Sequence, residues 1–272
     1  MRAFTFLLAA IASSLLAPPL HAEEVDVELF LAVDVSRSMT PQELDIQRQG
    51  YASALTSPEV TDAIGRGLIG AIAVTYVEWA GSHSQTVIVP WTRLSTPEEA
   101  AAIAEIITSN FETPRRLTSI SAILGHAARS IESNDFQGLR RVIDVSGDGP
   151  NNSGPPVTSA RDAVLEKGIV INGLPLMTRD GFSDHWGIPD LDAYYANCVI
   201  GGPGSFAFPV RSWPEFVPAL RRKLVLEIAS AAPPVRPAAP ERLHLASGAP
   251  AYDCFIGEKI FERNTGRFWD IP

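Results

Sequence analysis

From Val25 the chain reads VDVELFLAVDVS, an apolar run rich in Val and Leu that closes on polar residues. A run of this kind is the mark of a buried strand. Residues 68–79 (LIGAIAVTYVEW), 86–91 (TVIVPW), 139–146 (LRRVIDVS) and 169–176 (IVINGLPL) extend the series to five. Helical spacing fills the intervals. Thr40-Pro41-Gln42-Glu43 is a capping box with Pro at the first helical position, and Leu44, Tyr51 and Leu55 follow on one face. Thr96-Pro97-Glu98-Glu99 repeats the box ahead of Ile103, Ile106 and Ile107. Thr118 leads into the stripe Ile120, Ile123, Leu124, Ala127 and Ile131, and residues 155–167 also read as helix. Ser212 with Glu215 opens a last helix carrying Phe216, Leu220, Leu224 and Ile228, with Pro218 early enough to predict an irregular first turn.

Only residues 80–85 separate the second strand from the third. A parallel crossover needs a dozen residues or more, so this pair is expected to be an antiparallel hairpin. The other strands are joined through helices. The expected fold class is therefore α/β, a three-layer doubly wound domain with a mostly parallel sheet and one antiparallel edge strand, over residues 25–230. Residues 231–240 (AAPPVRPAAP) read as a semi-rigid linker and residues 241–272 as a tail packed back on the domain.

Residues 1–22 combine Arg2, an apolar stretch from Ala3 to Ala17, two prolines and a small residue, Ala22. This is the layout of a secretory signal peptide, and it predicts a periplasmic or secreted product with no membrane span after cleavage. In such a compartment Cys198 and Cys254 can form a disulfide closing about 56 residues, worth on the order of 4 kcal/mol; two free thiols are the alternative. With 22 Lys+Arg against 31 Asp+Glu, a formal charge of −9 and no basic run, the chain is not expected to bind nucleic acid. An apolar fraction of 46% excludes an intrinsically disordered chain.

In an open parallel sheet, ligands bind beyond the carboxyl ends of the strands. Three loops at that edge carry oxygen: Asp34-Val35-Ser36-Arg37-Ser38 after the first strand, Thr118 before the third helix, and Ser146-Gly147-Asp148-Gly149 after the fourth strand. Two carboxylates and three hydroxyls, without His or Cys, suit a hard divalent cation and not zinc or copper. Asp34-x-Ser36-x-Ser38, Thr118 and Asp148-Gly149, in that order, resemble the metal-ion-dependent adhesion site of von Willebrand factor A domains. The stretches VIDVSGDGPNN and YYANCVIGGPGSF resemble a family of secreted bacterial A-type proteins of unknown function. The resemblance implies that Asp34, Ser36, Ser38, Thr118 and Asp148 ligate Mg²⁺ first, with Mn²⁺ or Ca²⁺ as alternatives. A protein partner's Asp or Glu would complete the shell. Two positions depart from the A-domain pattern: Gly147 stands where Thr usually precedes the Asp, and Arg115-Arg116-Leu117 stand where glycines usually precede the Thr.

Other motifs fail their context. Gly65-Arg66-Gly67-Leu68-Ile69-Gly70 matches GxGxxG but precedes a strand instead of opening a helix. Asn151-Asn152-Ser153 is a glycosylation sequon by pattern and reads as a loop. His83, His126 and His185 lie near no nucleophile, and no GxSxG elbow exists. The expected function is non-enzymatic, metal-dependent protein binding. A metal-dependent phosphoesterase using the same oxygens with Arg115 and Arg116, and an A-type fold with a vestigial site, are the alternatives.

Overall fold

The computed structural model describes residues 22–110, 114–178, 186–229 and 252–266. The leader and linker expected from the sequence lie outside these residues. Five strands build the sheet: β1 (Glu23–Asp34), β2 (Ile72–Trp79), β3 (Gln85–Leu94), β4 (Phe136–Gly147) and β5 (Val170–Pro175). Their order is β3-β2-β1-β4-β5, with β3 antiparallel to β2 and the other pairings parallel. This is the architecture expected from the sequence.

Helices α1 (Pro41–Leu55), α2 (Pro58–Gly65), α3 (Pro97–Ser109) and α7 (Trp213–Ala229) cover one face. There Val27, Leu29, Leu31 and Val33 of β1 meet Leu44, Val60, Ile103 and Phe216. Helices α4 (Ile120–Glu132), α5 (Val157–Leu165) and α6 (Leu191–Tyr194) cover the other, against Phe30 and Ala32. Strand alternation puts successive β1 side chains on opposite faces, so each face has its own apolar layer. His126 of α4 is half-buried and packs edge-on against Phe30, 6.1 Å between ring centroids, which gives it a packing role.

Both capping boxes form: Thr40 and Thr96 accept from the Glu43 and Glu99 backbone N–H groups, and each glutamate carboxylate accepts from the backbone N–H of its cap. Helix α2, with Ser57 as N-cap and Pro58 in its first turn, had no apolar stripe long enough to announce it. Strand β2 starts later than its apolar run. Leu68 is exposed, because the backbone N–H groups of Ile69, Gly70 and Ala71 turn onto the buried Asp26 carboxylate at 3.0, 2.8 and 3.4 Å. A Cβ on Gly67 would lie 2.1 Å from Asp26 Oδ2, so the glycine-rich motif serves this turn. Helix α7 is continuous through Pro218. In the tail, where the sequence shows no strong period, helix α8 (Ile256–Gly266) forms, and Cys254 just ahead of it is joined to Cys198 by a disulfide. Among the described residues no helix is long and apolar enough to cross a membrane.

Candidate metal centre

The sheet order reverses direction between β1 and β4, and a crevice opens at such a switch point beyond the strand ends. Asp34 ends β1, paired across to Trp79, and Asp148 follows β4 on the neighbouring strand. The chain leaves β1 through a tight turn in which the Ser36 N–H donates to Asp34 Oδ1 at 2.7 Å. That turn brings Ser38 back, so that the Ser36 and Ser38 hydroxyls share a hydrogen bond of 2.8 Å. Ser38 Oγ then donates to Asp148 Oδ1 at 2.7 Å, across 110 residues of sequence. Adjacent ligands of an octahedral Mg²⁺, at about 2.05 Å from the ion, stand about 2.9 Å apart. The Ser36–Ser38 and Ser38–Asp148 separations are hydrogen-bond distances close to that spacing, so one cation could replace the shared protons without moving these oxygens far.

Asp34 is fully buried, and its Oδ2 has no hydrogen-bond partner. Burial pushes its carboxyl well above the usual carboxylate range, the Asp148 charge adds to this, and the Ser36 N–H works against it. Burial likewise pushes Asp148 up to about 6; the Ser38 hydroxyl opposes the shift and the Glu43 charge assists it. A bound cation reverses this logic by favouring both charged forms. An orphaned buried carboxylate oxygen beside a chain of hard oxygen donors thus fits a divalent cation. Among the described residues no three His, Cys, Asp or Glu side chains gather into a metal cluster, so any ion here would depend on the hydroxyls.

Thr118 comes from a different loop, laced to the first by backbone pairing: Arg115 N–H to the Val35 carbonyl at 3.0 Å and Arg37 N–H to the Arg115 carbonyl at 2.8 Å. The Thr118 N–H donates to Asn152 Oδ1, and the Asn152 N–H returns to the Thr118 carbonyl, both at 2.8 Å. Thr118 is buried and lines one cavity with Ser36 and Ser38. Leu117, where A domains usually carry a glycine, takes a left-handed φ of 71°. Such a backbone costs on the order of 1–3 kcal/mol for a residue with a side chain and recurs at functional sites.

The departure at Gly147 has a steric reason. A Cβ on Gly147 would lie 3.0 Å from both Asp34 Oδ2 and the Tyr195 hydroxyl. Tyr195 opens a π-helical turn (Tyr195–Val199); it is fully buried and its hydroxyl is without a partner. Burial first, and then the Asp34 charge, push its pKa well above that of a free tyrosine. The tyrosine fills the space that a larger residue at 147 would need.

Several residues at the site were not singled out from the sequence. Gln47 of α1 donates to the Asp34 carbonyl at 3.1 Å and receives a longer hydrogen bond, 3.4 Å, from Ser146. Glu43, besides capping α1, accepts from Trp213 Nε1 at 3.1 Å and faces Asp148. Asn151, the first residue of the sequon, is fully buried; its side chain accepts from the Ser121 N–H at 3.0 Å and donates to Glu258 Oε1 at 2.7 Å. That excludes a glycan acceptor in the folded chain. The Gly-Asp-Gly-Pro-Asn-Asn run was the available signal, since two Asn after a turn are typical of side chains that bond nearby backbone.

The cavity above these oxygens holds about 470 Å³. Arg37 and Arg116 stand at its rim, both exposed, and neither enters an ion pair among the described residues. Trp186, with Phe261 and Thr265 of α8, also lines it.

A family model described as protein of unknown function (DUF1194) matches residues 24–232. No curated protein matches the sequence. Solved structures share the fold. The pilus adhesin SpaC from Lactobacillus rhamnosus GG superposes with a TM-score of 0.55 at 14% identity, over 75% of this chain and 30% of that one. A von Willebrand factor type A protein from Catenulispora acidiphila gives 0.52 at 13%, over 75% and 43%. The proximal thread matrix protein 1 of the mussel byssus, with a zinc-occupied MIDAS motif, gives 0.51 at 15%, over 76% and 48%. This chain thus spans less than half the length of each. The fold is that of a von Willebrand factor A domain.

Proposed function

We propose that this chain, which belongs to the family of proteins of unknown function DUF1194, is an exported, non-enzymatic protein-binding module that works through a bound divalent cation. Asp34, Ser36, Ser38, Thr118 and Asp148 hold the ion, Mg²⁺ first with Mn²⁺ or Ca²⁺ as alternatives, and an Asp or Glu of a partner protein completes its shell. Residues 1–22 are the leader, 25–230 the binding domain, 231–240 a linker and 241–272 a tail. The observation that carries the reading is the run of oxygens from Ser36 through Ser38 to Asp148 beside the unpartnered Asp34 Oδ2. The zinc-bearing MIDAS of the byssal protein supports a divalent ion on this fold. The disulfide supports an oxidising compartment.

The mechanism follows from charge. Two carboxylates neutralise a divalent ion formally, so the centre attracts a further anion only through its open coordination position and the two rim arginines. When bound, the ion supplies a fixed positive centre for a carboxylate oxygen. Ser36 and Ser38 stay neutral and orient lone pairs, while Gln47 and the Ser36 N–H hold Asp34 in place. The ion also relieves the unfavourable burial of Asp34. Titration calorimetry with Mg²⁺ tests the reading. Asp34→Ala and Asp148→Ala are each expected to abolish the binding seen in the native chain while circular dichroism stays unchanged. Equal binding in both variants would refute it.

A further inference from the structure

The tail changes what can reach this site. Helix α8 lies beyond residue 232, where the family model ends, yet it is seated in detail on the metal-edge loop. A Cβ on Gly257 would lie 2.0 Å from the Asn151 carbonyl oxygen, so the helix backbone rests directly on that loop. Asn151 Nδ2 donates to Glu258, Ile260 is buried, the Tyr252 hydroxyl donates to Asp190 at 3.0 Å, and the disulfide holds the entry to the helix. Seated there, α8 presents Phe261 to Trp186, ring centroids 6.0 Å apart and tilted by 43°. The result is a cleft lined by Ser36, Ser38 and Thr118, by Arg37 and Arg116, and by Trp186 and Phe261.

Resting on the metal-dependent reading above, we infer that the partner's carboxylate is carried on an extended peptide segment with an aromatic residue next to the acidic one. A volume of about 470 Å³ is within the range of clefts that enclose a small ligand, roughly 300–1,000 Å³. An extended strand passes between the Leu117 loop and Phe261. Its carboxylate meets the ion and the field of Arg37 and Arg116, and its ring joins the Trp186–Phe261 pair at a spacing favourable for aromatic groups.

Calorimetry under saturating Mg²⁺ with acetyl-Ala-Asp-Phe-amide and acetyl-Phe-Asp-Ala-amide tests this, against the Asn-for-Asp versions and acetyl-Ala-Asp-Ala-amide. At least one Asp–Phe order is expected to bind, and to lose binding with chelator or with Asn. Replacing its Phe by Ala should weaken it roughly 2- to 12-fold, the worth of one aromatic pair. Phe261→Ala, and independently Gly257→Leu, which unseats α8, should erase that preference while leaving the Mg²⁺-induced rise in Tm. The inference is overturned if both variants keep the preference, or if neither aromatic peptide binds although Mg²⁺ raises Tm. No rise in Tm with Mg²⁺ in the native chain would instead overturn the metal reading, and this inference with it.

Discussion

Replacing Asp34 by Asn separates the stability of the domain from the proposed use of its site. Asp34 is fully buried; one oxygen accepts the Ser36 N–H at 2.7 Å, and the other has no partner. Leaving a buried polar atom unsatisfied costs about 1–3 kcal/mol, and more when it is charged. In Asp34→Asn the amide oxygen keeps the Ser36 bond. The amide nitrogen replaces Oδ2 and faces the gap at Gly147 that the orphaned Tyr195 hydroxyl also borders. At a pH where Asp34 is ionised, the metal-free variant no longer buries that charge and is expected to be more stable than the native chain by up to about 1–3 kcal/mol. At roughly 2–4 °C per kcal/mol for a domain of this size, Tm should rise by up to about 2–12 °C. Magnesium at about one hundred times its Kd should stabilise the native chain by about 2.7 kcal/mol, because it binds only the folded state. The same ion should leave Asp34→Asn unmoved. Scanning calorimetry in chelator and then in Mg²⁺ reads both effects. A metal-free variant that melts below the native chain, or one that keeps the full magnesium shift, would refute the assignment of Asp34 as a carboxylate held ready for a cation.

Three further outcomes are expected. Cys198→Ser combined with Cys254→Ser opens a cross-link spanning 56 residues and should lower the urea-unfolding free energy by about 4 kcal/mol; an unchanged midpoint would show that the tail does not constrain the unfolded chain. Arg48→Met strands the buried Glu78 carboxylate, which Arg48 meets at 2.7 and 2.9 Å, and should destabilise by about 3–5 kcal/mol in the same assay. Glu227, pushed by burial and then by the Asp144 charge up to about 7 against the attraction of Lys223, holds more protons folded than unfolded between its ordinary value of 4.5 and about 7. Its contribution to stability is thus present below that window and declines as pH rises through it, and Glu227→Gln should flatten this slope in unfolding measured from pH 4.5 to 7.5.

The order of strands and helices was legible in the sequence because each element carries its own instruction within its own length. Alternating or continuous apolar runs mark the strands, and the boxes at Thr40 and Thr96 mark two helix starts. The short link between β2 and β3 dictates their antiparallel pairing. The candidate oxygens were legible too, because DxSxS and GDG sit at strand exits. Where the apolar run misled, at residues 68–71, a distant carboxylate, Asp26, had taken the backbone N–H groups that a strand would have used. The tail helix escaped notice because it is held by Asn151 and by the disulfide of Cys254 just ahead of it, not by its own stripe.

What tertiary structure alone decided is the meeting of groups far apart in sequence. Ser38 and Asp148 touch because β1 and β4 are neighbours at the point where the sheet reverses. Tyr195 crowds Gly147, Leu117 takes a glycine's backbone angle, and α8 closes one side of the cleft, each through contacts that no local pattern records. Periodicity is a property of one segment exchanging water for one face of a core. A binding site is a property of several segments stopped at the same place, and that place is set by packing.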